Sequence, residues 1–172
     1  MSQPATSEEF VRLGLIGASA VISYNVMPLP PEYRVHFPGL TDDNHDKSSE
    51  IDPNYNCIGH AAGSILWWEP VRALGGNIYW PHTAPLQNTI AAYQKAYQFI
   101  GYVDCADGSV EAGYEKIALY IKDGTLKHAA RQLADGKWTS KLGRDLDIWH
   151  SDPGVLEGQK YGHVQIYMKR KI

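Results

Sequence analysis

The chain has 172 residues, 44% of them hydrophobic and 20% charged, with a formal net charge of −3, which fits one globular domain able to bury a core without disulfides or metals. No Lys/Arg cluster is present to meet a phosphate backbone, so nucleic acid is not an expected partner, and neither low complexity nor a fixed-period repeat is visible. The only two cysteines, Cys57 and Cys105, stand in different local contexts and suggest no disulfide framework, which points to a reducing, cytoplasmic setting.

Residues 1–50 read as an irregular N-terminal extension, and residues 51–172 as a single domain. The apolar stretch 13–22 is too short to span a bilayer and follows Ser7-Glu8-Glu9 instead of a basic segment. Neither a transmembrane helix nor a signal peptide is therefore expected, and the stretch reads as a helix or strand docked on the domain. Pro28-Leu29-Pro30-Pro31 and the polar run 41–50 favour loop.

From Cys57 onward, Ile58, Ala61, Ala62, Ile65 and Trp68 recur at helical spacing, which predicts a helix over 57–68 with Asn54 or Asn56 as its N-cap. A Trp- and Pro-rich connection leads to a second helix over 86–100, with Leu86, Ile90, Tyr93, Tyr97 and Ile100 on one stripe and Gly101 ending it.

After Gly113 the period falls to 2, and Asp123-Gly124 and Asp135-Gly136 each separate alternating segments, a strong hairpin signal. Strands over 115–122, 125–134 and 137–142 would form an antiparallel meander, joined by a last strand over 161–169. Helices followed by an antiparallel sheet make an α+β domain.

Two-residue turns would set Lys122 opposite Thr125, Ile121 opposite Leu126 and Leu119 opposite His128. His128 would then share the apolar face of Ile117, Leu119, Ile121 and Ala130 and point at the helices. The second turn would set Ala130 opposite Lys141 and His128 opposite Gly143, carrying Asp145 and Asp147 onto the histidine's face. A three-residue loop there would shift this register.

These placements suggest chemistry. A cysteine attacks as thiolate, and an ordinary pKa of about 8.5 leaves little thiolate at neutral pH. A helix N-terminus and a neighbouring imidazolium both favour the anion; Cys57 opens a helix and His128 is expected to face it. The same N–H groups, with the Asn56 amide, would hold an oxyanion, and Asp147 or Asp145 would orient His128, or, failing both, Ser140, Gln132 or a backbone carbonyl. Cys105, beside Asp104 and Asp107, sits in an acidic loop that would raise its pKa and is not expected to be the nucleophile. His60, three residues after Cys57, could share a metal with it, but no CxxC or HExxH supplies further ligands, so neither metal nor cofactor is expected. Trp67, Trp68, Tyr79 and Trp80 read as core before they read as a substrate wall.

The strings Tyr55-Asn56-Cys57-Ile58-Gly59-His60-Ala61-Ala62-Gly63, Trp67-Trp68, Tyr79-Trp80-Pro81, Gly101-Tyr102, Glu115-Lys116-Ile117-Ala118-Leu119-Tyr120, His128-Ala129-Ala130-Arg131-Gln132-Leu133, Gly136-Lys137-Trp138-Thr139-Ser140-Lys141-Leu142-Gly143 and Asp147-Ile148-Trp149-His150 resemble an uncharacterised family of small bacterial proteins. Their order, a Cys-bearing helix and then a His-bearing strand, resembles the papain-like superfamily. The resemblance implies a papain-like fold and a catalytic set of Cys57, His128 and Asp147, and it prefers Asp147 to Asp145. The transglutaminase pattern is not matched, since Trp138 is followed by Thr139, Ser140 and Lys141. The function expected is a thiol-dependent hydrolase or acyl transferase (peptidase, amidase or deamidase) working through a thioester at Cys57. Its substrate would be a peptide, a protein or another acyl or amide compound, with no membrane partner. The alternative is a catalytically inactive protein-binding module on the same fold, or a toxin or effector component.

Overall fold

A computed structural model of the chain describes residues 30–71 and 76–172. The stretch 13–22 and its expected docking lie outside the described residues. In chain order the elements are α1 (Pro31–His36), β1 (His45–Lys47), α2 (Cys57–Ala61), β2 (Trp67–Trp68), β3 (Ile78–Tyr79), α3 (Ile90–Phe99), β4 (Val103–Cys105), β5 (Tyr114–Lys122), β6 (Thr125–Gln132), β7 (Trp138–Lys141), β8 (Asp147–His150), a 3₁₀ turn (Pro153–Leu156) and β9 (His163–Lys171). A seven-stranded sheet ordered β1-β8-β7-β6-β5-β9-β4 dominates, antiparallel at every pairing, while β2 and β3 form a small parallel ribbon. The fold is thus α+β, with few helices and a large antiparallel sheet. Among the described residues no helix is long and apolar enough to cross a membrane.

Both faces of the sheet are covered, which explains why Ile117, Ala118, Leu119, Tyr120 and Ile121 are all buried where a one-sided sheet would alternate. One face packs Ile117, Leu119, Ile121, Leu126, Ala129 and Met168 against Ile58 and Ala61 of α2 and Tyr93 and Tyr97 of α3. The other packs Ala118, Tyr120, Ala130, Trp138 and Ile148 against Phe37, Leu40, Leu156 and Tyr161. Residues 31–47 therefore belong to the domain and are no irregular extension: Phe37 is fully buried and β1 forms a sheet edge.

The first helix ends far short of residue 68. Gly63, at φ +77, turns the chain out of it, and residues 67–68 are drawn into the ribbon with Ile78 and Tyr79. Gly59 makes the return possible, because a Cβ there would lie 2.0 Å from the carbonyl oxygen of Leu66. The second helix starts at residue 90, where Thr89 caps it by accepting from the Ala92 N–H at 3.3 Å, and Gly101 at φ +93 follows its end.

The Asp123-Gly124 turn has the expected two residues, both at positive φ, and Lys122 pairs with Thr125 and Ile121 with Leu126. The ladder then slips by one: Tyr120, not Leu119, pairs with His128, and Lys127 is the extra residue of a β-bulge. A one-residue slip moves a side chain to the other face of the sheet, so His128 points away from the helices and Ala129 takes the helix side. Beyond the Asp135-Gly136 turn, Arg131 pairs with Thr139 and Gln132 with Trp138, so the expected pairings of Ala130 with Lys141 and His128 with Gly143 also fail by one.

Candidate functional site

Cys57 is the first residue of α2, and its cap is Asn56, whose Oδ1 accepts from the N–H groups of Gly59 (2.9 Å) and Trp68 (3.1 Å). The Asn56 Nδ2 donates to the Trp68 carbonyl at 2.8 Å. That amide is occupied in joining α2 to the ribbon and is not free to hold an oxyanion, which corrects the role expected of it. Cys57 is half-buried and packs against the core on the helix face. Burial pushes its thiol up to about 11, against a smaller opposing pull from the backbone of Ala129, Cys57 and Ile58 and the charge of Lys160. At neutral pH the resting group is therefore the thiol.

The structure does not bring Cys57, His128 and Asp147 together. His128 is fully buried on the opposite face, stacked on Tyr161 at 4.1 Å with the rings 3° from parallel, and its Nε2 meets Ser140 Oγ at 3.0 Å. Ser140 Oγ lies 2.9 Å from Nε2 of His150, whose Nδ1 meets the Asp152 carbonyl at 2.9 Å. Burial, then the neighbouring His150, holds the His128 pKa well below its ordinary 6.5.

Asp147 lies on the helix face, where it meets a different histidine. Its Oδ2 accepts from the Tyr55 hydroxyl at 2.6 Å and lies 3.7 Å from Nδ1 of His60, while Oδ1 is 3.6 Å from Nζ of the fully buried Lys141. His60 is stacked on Tyr55 at 5.9 Å, and its Nε2 lies 3.1 Å from Thr139 Oγ1. Burial lowers His60 to about 4 in spite of Asp147, so its imidazole is neutral at pH 7. Asp145 is elsewhere: it accepts from the Tyr33 hydroxyl at 2.6 Å, and its carbonyl accepts from Lys141.

The geometry thus contains two polar clusters on opposite faces. Tyr55, His60, Thr139, Lys141 and Asp147 surround the helix that Cys57 opens; Ser140 and His150 join His128. Residue types alone did not single out Tyr55, Thr139, Lys141 or His150, whereas Ser140, named as a group that could orient His128, does contact it. The alternation along Thr139, Ser140 and Lys141 would have assigned them to the two clusters had the bulge been anticipated. Cys105 donates to the Asp107 carbonyl at 3.5 Å, and its pKa is raised, chiefly by burial. Among the described residues no group of three or more His, Cys, Asp or Glu is placed to hold a metal ion.

A family model described as a domain of unknown function, DUF7689, matches residues 46–169. The chain belongs to the DUF7689 family. Those bounds take in both polar clusters and all of the sheet from Asp46 to Lys169. No curated protein and no solved structure matches the chain.

Proposed function

We propose that this DUF7689 chain is a thiol-dependent acyl-transfer enzyme, a hydrolase or transferase acting on a peptide, protein or other amide. Its nucleophile would be Cys57, and its imidazole–carboxylate unit His60 with Asp147, in place of His128 with Asp147. The observation that carries this reading is the 3.7 Å approach of Asp147 to His60 on the same short helix that Cys57 opens. Residues three apart on a helix are neighbours, so the neutral imidazole stands beside the thiol's turn. The Cys-helix followed by an antiparallel sheet supports the likeness to the papain-like superfamily.

In the step proposed, the imidazole of His60 takes the thiol proton as sulfur bonds to the acyl carbon, and the carbonyl electron pair moves onto oxygen. The pair returns, the C–N bond breaks, and the leaving amine receives the proton from His60. Water then hydrolyses the thioester, or a second amine takes the acyl group. With the Gly59 N–H taken by Asn56, the N–H groups of Cys57 and Ile58 would supply the oxyanion donors.

The test is the rate of Cys57 alkylation by iodoacetamide across pH. His60→Gln should slow it at neutral pH, where the parent's neutral imidazole takes the thiol proton, while His128→Gln should leave the rate in place. If both variants match the parent, Cys57 works without either imidazole and the enzyme reading falls. A second reading is favoured by the contact of His60 Nε2 with Thr139: with both ring nitrogens engaged, the fold would serve as a non-catalytic protein-binding module, and Cys57 would alkylate no faster than an ordinary thiol.

A further inference from the structure

The polar groups around His128 take no part in that chemistry, and their hydrogen bonds fix the position of every proton. The Asp152 carbonyl can only accept, so His150 carries its proton on Nδ1 and a lone pair on Nε2. The Ser140 hydroxyl then donates to His150 Nε2 and accepts from Nε2–H of His128. His128 is left with a lone pair on Nδ1, buried and without a partner among the described residues. The donors run one way, from His128 through Ser140 to His150 and Asp152.

The same groups grip the layer that covers this face. His128 stacks on Tyr161, Tyr161 lies 4.7 Å from Phe37 of the loop after α1, and the Tyr120 hydroxyl donates to the Pro153 carbonyl at 2.7 Å. Thus β5, β6 and β8 each hold residues 31–44 or 151–162 through an aromatic or imidazole ring.

We propose that the His128–Ser140–His150 relay is a proton-sensitive latch, and that acidification releases residues 31–44 and 151–162 from the sheet. A proton on His150 Nε2 leaves Ser140 either to accept from both histidines with its own O–H unpaired, or to reverse and donate to His128, which must then carry its proton on Nδ1, where no acceptor stands among the described residues. A proton placed directly on His128 is a buried cation with the same lack.

The surrounding groups do not relieve it. Beside His128 stand the neutral rings of Tyr120 and Tyr161, with Lys160, and His60 once it is charged, adding repulsion. His45 of β1 lies opposite His150, and its Nδ1 is held by the Thr41 carbonyl. From α1, His36 presents a buried Nδ1 without a partner among the described residues, and Tyr33 is tied to Asp145. Glu157 is engaged by His163 and the Val164 N–H. Asp152 is the carboxylate that favours a charged His150, and its Oδ1 already accepts from Gly154 at 2.7 Å. Burial, the first cause in both cases, lowers His150 to about 4 and His128 well below its ordinary 6.5.

Amide hydrogen exchange on the full chain between pH 7 and pH 5 tests the latch, after correction for intrinsic exchange. Protection of residues 33–40 and 153–161 should fall about tenfold per pH unit for each proton taken up, relative to Ile117 and Leu119 in the sheet. His128→Phe keeps the stack without the proton and should flatten this dependence, as should His150→Gln. A protection ratio constant from pH 7 to pH 5 in the parent overturns the proposal, and so do variants that keep the parent's dependence. Should His128→Phe fail to fold, the parent's ratio decides alone.

Discussion

Asp147 Oδ2 receives the Tyr55 hydroxyl at 2.6 Å, a hydrogen bond between residues 92 positions apart in the chain. It ties the connection that ends in Asn56 and Cys57 to strand β8. The Asp147 N–H reinforces it by donating to Ser49 Oγ at 2.9 Å.

Replacing Asp147 by Asn keeps an acceptor for Tyr55 but leaves the buried Lys141 without its nearest carboxylate. The expected loss is about 1–3 kcal/mol of stability, read from the shift of the urea midpoint at constant m-value. His60 also loses the charge that raises its pKa, so its imidazole resonances should titrate at lower pH than in the parent. A titration unchanged by the substitution would show that Asp147 and His60 do not interact.

Ser140→Ala removes both hydrogen bonds of a fully buried hydroxyl. The His128 N–H and the His150 lone pair are then left unpaired, at a cost of about 1–3 kcal/mol for each unsatisfied group. Thr139→Ala, which removes one contact to His60, should cost less. Thermal unfolding of the two variants compares them, and the opposite order would count against the network on the His128 face.

Stability should fall with acid. His60 and His150 are lowered to about 4 and His128 well below 6.5 in the folded chain. The unfolded chain therefore binds more protons as pH drops through the ordinary value of 6.5, and the loss continues down to about pH 4. Each histidine contributes about 1.4 kcal/mol per pH unit inside that window, and carboxylates add their own losses toward its acid end. Urea titrations at pH 7 and pH 5.5 measure the slope. His60→Gln should remove one histidine's share, and an unaltered slope would deny that burial holds this imidazole neutral.

Gly59→Ala places a Cβ against the Leu66 carbonyl, 2.0 Å away on the unshifted backbone. Overpacking of this kind costs about 1–3 kcal/mol, and relief requires the ribbon strand β2 to move off α2. Trp68, buried beside Tyr79 at 5.0 Å, should report this as a change in emission. Unchanged emission with parent-like stability would place the clash elsewhere.

Much of the fold was legible because period and turn chemistry are local. Asp123-Gly124 named its own hairpin, and the Tyr114–Lys122 and Thr125–Gln132 strands agree with expectation to within two residues at each end. The bulge at Lys127 was not legible. An exposed lysine in an alternating segment carries no mark that it will be passed over in the ladder, and the strain and twist that favour a bulge are properties of the assembled sheet. That one residue decides which face His128 occupies, so the expected dyad failed while the strand that carries it was read correctly. Parity with His128 put Asp145 and Asp147 on the helix face, and the resemblance preferred Asp147; Asp147 does lie on that face, beside the imidazole of His60, while His128 lies on the other. Strands β1 and β8 were missed because three or four residues are too few to show a period.

The pairing of β1 with β8 joins His45 to His150, and Ser49 and Tyr55 wait on Asp147. Contacts this distant along the chain close large loops and slow folding. During synthesis the turn bearing Cys57 leaves the ribosome long before the strand that fastens it. The helix that Cys57 opens is thus placed only once the chain has passed residue 147, and a product terminated before it would carry the thiol without its anchor.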